Sequence, residues 1–295
     1  MGTPVRDMAA MVRQPARRTG GRKLSLMNLF LYLVLSALSI ICLIPFFWMV
    51  STSLKDRAST FQFPPQWIPD HFVWSNYVEA LTVVPFDRYA LNTFTIEFFV
   101  ILGQFLSCTL VAYGFARFRF RGREVLFMIM LATQLIPEQV TMIPTFILFS
   151  KLGWVDTFLP LTVPAYFGNP FYIFLMRQYF QSIPFDLDEA AKIDGAGAFR
   201  ILFQILVPLL KPALTIIFVF TFTEVYNDFM GPLIYLSDPD KYTLAIGLSN
   251  FVSSFQAEWN YLMAASTVVL FPLLVIYYFA QKHLVGGIAN LGIKG

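Results

Sequence analysis

LSLMNLFLYLVLSALSIICLIPFFWMVSTSL, residues 24–54, contains no charged side chain. An α-helix rises 1.5 Å per residue, so about 20 apolar residues cross the ~30 Å hydrocarbon layer of a bilayer. This stretch is long enough to do so. Thr157 to Met176 and Trp259 to Gln281 are equally free of charge, and three more windows carry one charge each: Leu91 to Ala116 with Glu97, Val125 to Ser150 with Glu138, and Ile201 to Thr223 with Lys211. The reading is an all-α membrane protein of about six transmembrane helices, near 24–50, 90–116, 125–150, 157–177, 201–226 and 260–281. Residues 24–295 form the transmembrane domain, behind a basic tail at 1–23.

The whole composition agrees. Apolar residues make up 57% of the chain and charged residues 13%, with a mean hydropathy of +0.63. An average globular domain carries roughly twice that charge, so water is excluded as the solvent of most of this surface. The first span is expected to stay as an anchor, because it is too long for a signal-peptide core and ends without a small-residue cleavage site. Cys42 and Cys108 sit in apolar runs and read as small buried hydrophobes, not as a disulfide. His71 and His283 lack metal-ligand spacing, and no basic patch with interleaved aromatics suggests nucleic acid.

Orientation follows from the basic residues. The tail, the loop bearing Arg117, Arg119, Arg121 and Arg123, the loop bearing Arg177, Lys192 and Arg200, the foot of span five at Lys211, and the C-terminal Lys282 and Lys294 fall on one side. That side holds 16 of the 21 Lys and Arg residues, so both termini and the 184–200 loop are predicted cytoplasmic. Trp67, Trp74, Trp154 and Trp259 fall near outer boundaries, and Phe63 to Pro69 is too rich in proline for a helix, which predicts a rigid outer loop.

The loop at about 184–200 reads PFDLDEAAKIDGAGAFR. Asp186 with Glu189 three residues on predicts an N-cap and capping box, with acids at the positive end of a short helix. Ala190 and Ala191 leave room for close approach, and Gly195 and Gly197 should turn the chain before Phe199. The expectation is two short helical pieces joined by a turn.

Glu189-Ala190-Ala191, then Gly195, Ile205 and Val207-Pro208 at their fixed spacings resemble the EAA signature of membrane subunits of bacterial ABC importers, departing only in Val207 where the family usually has Leu. Leu91-Asn92-Thr93, Tyr113 to Arg117, Leu135-Ile136-Pro137, Met142-Ile143-Pro144, Asn227-Asp228-Phe229 and Gly292 to Gly295 resemble the maltose-type, carbohydrate-uptake permeases, over about residues 25–295. The resemblance implies a coupling loop in which Asp188, Glu189, Ala190, Ala191, Asp194, Gly195 and Phe199 meet a groove on a separate ATPase subunit. It also implies a similar but non-identical second permease, a pair of ATPase subunits that hold ATP and Mg, an extracytoplasmic solute-binding protein, and a sugar cargo. The chain itself has no GxxxxGK[ST] phosphate loop. It is expected to be a transport subunit without cofactor or catalysis, in the lipid of a bacterial plasma membrane.

Ionisable and amide side chains inside spans are costly and face a protein interior or a wet cavity. Here they are Glu97 and Gln104 on span two, Gln134 and Glu138 on span three, and Glu224 with Asn227 on span five. They either line a sugar pathway or hold helices together by mutual hydrogen bonds, and Pro137 and Pro144 are expected to kink span three. An ion-coupled carrier would use Glu97 and Glu138 as ion sites but leaves the EAA-like loop unexplained. An intramembrane enzyme would need a paired nucleophile and base. A polyol or glycerol phosphate ester is the alternative cargo; a phosphate prefers Arg or Lys in the passage, and the spans carry only Lys211.

Overall fold

The computed structural model describes residues 26–253 and 258–292, which form helices and connecting turns. The tail 1–23 and Lys294 lie outside the described residues. The chain divides into two compact units, Met1–Phe47 and Trp48–Gly295. Helix α1, Leu26–Ser53, continues through Pro45, and its most apolar 18-residue window is wholly exposed. A surface this apolar is one that lipid or another apolar surface covers. Cys42 shares that exposed surface and only Cys108 is buried, which corrects the expectation that both thiols are buried.

After α1 come α2 (Ser75–Val83), α3 (Phe86–Arg117), α4 (Arg123–Thr133), α5 (Glu138–Lys151), α6 (Leu159–Thr162) and α7 (Pro170–Ser182). The short α8 (Asp186–Ile193) and α9 (Ala198–Arg200) precede a π-helical turn at Ile201–Leu206, α10 (Val207–Leu209) and α11 (Lys211–Tyr226). The chain ends in α12 (Met230–Tyr235), α13 (Leu244–Ser253) and α14 (Trp259–Gly292). Among the described residues, α1, α3 and α14 are each long and apolar enough to cross a membrane, and the number becomes five if two bent helix pairs each count as one span.

That count departs from six continuous spans, and the reasons are local. In the third window α4 and α5 meet at 93°. The break falls before Pro137, whose ring disfavours helical backbone at Ile136, while α5 runs on through Pro144. In the fifth window the helix bends by 78° across Leu210, just before Pro212 near the start of α11. The fourth window is interrupted outright. A 3-10 turn over Val163–Phe167 is followed by Gly168 at φ +87°, and Asn169 then starts α7 by accepting from the Phe171 and Tyr172 amides at 2.9 and 3.4 Å. At 13 residues, α7 alone is only about 20 Å long.

Helix α3 is central, packing on α7, α11 and the 163–167 turn. Gly103 permits the last contact: a Cβ there would sit 2.8 Å from the Tyr166 ring and 3.1 Å from the Ala165 carbonyl carbon. One buried cluster joins Cys108, Ala112 and Tyr113 of α3 to Met176 and Phe180 of α7, Ala191 of α8 and the Ile201–Leu210 segment. A second joins Phe86 and Tyr89 to Phe222, Tyr226, Phe251, Ala264 and Ala265. The segment after α1 is non-helical from Gln62 to Val73, as its prolines require. The end of α1 is tied to α2 by the Asn76 amide, which donates to the carbonyls of Ser53 and Lys55 at 2.8 and 2.7 Å.

The 151–158 and 236–243 loops are clasped by Asp156. Its Oδ1 accepts from the amides of Ser237 and Asp238, both at 3.0 Å, and its Oδ2 accepts from Lys241 Nζ at 2.9 Å. The Lys241 hydrogen bond, aided by the two amides, holds the carboxyl down at about 2. A carboxyl depressed in the folded state contributes its stability above its ordinary pKa of 3.8 and loses it as pH falls toward 2. The protection factors of amides in residues 236–243, corrected for the intrinsic pH dependence of exchange, should therefore be unchanged from pH 7 to 5 and fall between about pH 4 and 2. Asp156→Asn should remove that step; an identical acid transition in the variant would show that another group controls it.

Candidate functional site

The 183–200 segment forms the expected two-piece elbow, with a different start. Helix α8 begins at Asp186 itself, Phe185 occupies the N-cap position, and no side chain caps it. The capping box is therefore absent, although Asp186, Asp188 and Glu189 do fill the first turn, where the helix dipole favours acids. The helix ends at Ile193 and the chain turns at Gly195, whose φ of +78° is strained for any residue with a Cβ. Its amide donates to the Lys192 carbonyl at 3.0 Å, and Ala196 N donates to the Ala191 carbonyl at 2.9 Å. A Cβ at Gly195 would meet nothing within 4 Å, so within this chain backbone angle, and not close packing, accounts for the glycine.

Of the seven residues expected at the docking surface, Glu189, Ala190, Asp194, Gly195 and Phe199 lie exposed together, beside the exposed Leu187 and Ile193. Asp188 and Ala191 face inward, at 2% and 7% exposure. Ala191 joins the core around Phe180 and Leu202. Asp188 Oδ2 lies 3.2 Å from Arg117 Nη2, with both side chains buried. The same guanidinium donates to the Ile183 carbonyl at 3.1 Å and lies over the Phe185 ring. Tyr113 Oη donates to the Ala198 carbonyl at 3.4 Å. The elbow is thus clamped to the end of α3 at both of its helical pieces and continues through the π-helical turn into α11. Sequence reasoning quoted Tyr113 to Arg117 for the resemblance without giving either residue this role.

A second feature is a cleft of about 420 Å³ where α7, α11, α14 and the α4–α5 break converge. Gln134 enters from the break, Asn169 and Tyr172 from the start of α7, Thr223 and Glu224 from α11, and Tyr277 from α14, with Phe171 and Phe220 as apolar walls. Phe220, Thr223 and Glu224 share one helix face by their spacing. Tyr172 Oη donates to Glu224 Oε2 at 3.5 Å, and the hydroxyls of Thr223 and Tyr277 are 3.5 Å apart. Aromatic faces beside amides, hydroxyls and a carboxylate are the groups that bind polyols.

The six intramembrane polar residues divide. Gln134 and Glu224 line the cleft, and Glu138 is exposed at the start of α5, across the break from Gln134. Gln104 stands behind the wall, accepting from the Cys108 thiol at 3.2 Å, while that sulfur accepts from the Asn169 amide at 3.4 Å. Glu97 does not line the cleft; it is 2% exposed on α3 and its Oε1 has no hydrogen-bond partner. Asn227 is exposed, donating to the Thr223 carbonyl at 2.7 Å. Among the polar lining residues, sequence reasoning missed Asn169, Tyr172, Thr223 and Tyr277. The Gly168-Asn169-Pro170 string, a turn followed by an N-cap and a proline at the first helical position, was the signal for the first two. Among the described residues no three His, Cys, Asp or Glu side chains gather as metal ligands.

Comparison with known proteins gives concordant matches. Residues 106–290 match the family model described as "Binding-protein-dependent transport system inner membrane component". The chain is 34% identical over 273 residues to the galactooligosaccharides transport system permease protein GanQ of Bacillus subtilis (strain 168), covering 90% of this chain and 95% of that protein. It is 31% identical over 256 residues to the diacetylchitobiose uptake system permease protein NgcG of Streptomyces coelicolor, covering 85% and 84%. The fold matches a chain of a bacterial ABC transporter involved in the import of the acidic polysaccharide alginate, with TM-score 0.77, 25% identity, and coverage of 88% and 97%.

Proposed function

The chain belongs to the family of inner membrane components of binding-protein-dependent transport systems and is a multi-pass permease subunit of a sugar ABC importer whose ATP is hydrolysed by separate subunits; from that premise we propose that its cargo is a neutral di- or oligosaccharide, as in the maltose-type permeases. The chain works beside a similar, non-identical permease. Two ATPase subunits hold ATP and Mg, and a solute-binding protein delivers the sugar from outside. In this reading both termini and the α8–α9 elbow are cytoplasmic, and the interrupted 159–182 segment makes the sixth crossing.

The observation that carries the proposal is the elbow's two-sidedness. Its outer face, with Glu189, Ala190, Asp194, Gly195 and Phe199, is free to enter a groove on the ATPase, while its inner face is bolted to α3 through Asp188 and Arg117. Closure of the ATPase pair displaces the elbow, and the rigid junctions pass that displacement to α3 and, through the π-helical turn, to α11. Glu224 and Thr223 ride on α11, so the same movement alters the cleft and exchanges the side from which it opens. Gln134, Glu138 and Glu224 serve the sugar pathway, with Gln104 supporting its wall, and Glu97 and Asn227 lie at its margins.

The test is to purify the intact complex, identify the subunits that accompany this chain, and measure ATP hydrolysis against a panel of sugars with the solute-binding protein present. Stimulation by neutral oligosaccharides, with two ATPase subunits and a distinct permease in the particle, is expected. Transport by this chain alone in vesicles, without ATP, would contradict the reading.

A further inference from the structure

We propose that Glu224 is a specificity-determining residue that excludes anionic sugars from the cleft; this rests on the reading of the cleft as part of the sugar pathway. Glu224 bears the one carboxyl among the eight side chains that line the cleft, and none of the eight is basic. Glu138 adds a second carboxyl at the start of α5, across the break from the lining residue Gln134. The remaining polar groups, Gln134, Asn169, Thr223 and the hydroxyls of Tyr172 and Tyr277, are neutral donors and acceptors. A carboxylate accepts from the hydroxyls of a neutral sugar, whereas a uronate or phosphate ester would set two anions a few ångströms apart in a partly desolvated cleft with no cation to offset them.

The geometry also shows how Glu224 is held for this task. It stands one turn from Phe220 on α11, and the Tyr172 hydroxyl donates to its Oε2. Discrimination of this kind operates by repulsion of the wrong ligand as much as by attraction of the right one. The same fold serves an importer of an acidic polysaccharide, so the helical frame does not itself forbid an anionic cargo. The choice lies in the lining.

The experiment is a saturation-transfer NMR titration of the purified membrane complex, without its solute-binding protein, using galactotriose as the neutral probe and trigalacturonate as the anionic one. The wild-type complex should hold galactotriose at least about tenfold more tightly. Glu224→Gln should narrow that ratio to about threefold or less, and Gln134→Lys, which supplies a cation while leaving Glu224 in place, should narrow it as well. An unchanged ratio in both variants, with galactotriose still bound, would overturn the charge filter and leave the pathway standing. Wild-type complex that binds neither probe would overturn the pathway reading and the filter with it.

Discussion

Arg117→Ala should cut ATP-driven uptake to less than about a tenth of wild type and lower the thermal stability of the complex. Arg117 and Asp188 are both buried and 3.2 Å apart, and removing one partner of such a pair costs about 3–5 kcal/mol because the other charge is left uncompensated. The loss is concentrated where it matters for transport, since the pair joins the end of α3 to the first turn of α8. Asp188→Asn should be milder, because an amide still accepts from the guanidinium. The double variant Arg117→Met with Asp188→Leu separates two contributions. Its stability should return to within about 2 kcal/mol of wild type, since a well-packed apolar pair often replaces a buried ion pair without net loss, and uptake should follow if packing alone transmits motion. If Arg117→Ala leaves both stability and uptake intact, the ion pair does not clamp the elbow and the account of its coupling fails.

Gly195→Pro should abolish uptake and sugar-stimulated ATP hydrolysis while the chain still inserts. Proline is locked near φ −65° and lacks an amide hydrogen, whereas Gly195 sits at +78° and donates to the Lys192 carbonyl. The turn that joins α8 to α9 would be lost. Gly195→Ala is the informative control. Its Cβ meets no neighbour, so the change costs only the left-handed strain of about 1–2 kcal/mol, and most activity should remain. Equal loss in both variants would indicate that a partner surface presses on this position directly.

How far the residue order foretold these features depends on which force governs each one. The long spans were legible because lipid imposes one unambiguous demand: α1, α3 and α14 appear where charge-free or nearly charge-free windows predicted them. Interruptions were less so, because an apolar window such as 157–177 satisfies hydropathy whether or not its backbone is continuous. The break there was written in Pro160, Pro164, Gly168 and Pro170, residues that decide backbone angles and not solvent.

The site was half legible for a related reason. The cost of polar side chains inside apolar windows identified Gln134 and Glu224, but convergence of the cleft depends on the bend before Pro137 and on the late start of α7 after Asn169. Asp188 and Ala191 show the limit most sharply. They stand among residues read as a docking surface, yet a short helix lying against a core necessarily turns some of its positions inward. The inward pair is recognisable only once Arg117 and Phe180 are known to lie beneath it.

Site-specific cross-linking tests the central claim most directly. Phe199→Cys, introduced into a chain with Cys42 and Cys108 replaced by Ser, places a thiol on the exposed side of the elbow, and a short bifunctional reagent can then be applied to the assembled importer. A covalent adduct with the nucleotide-hydrolysing subunit, whose yield changes when ATP is bound, is the expected result. Modification of that thiol from the outer face of intact cells, or no adduct with that subunit in a particle that still transports, would contradict the account.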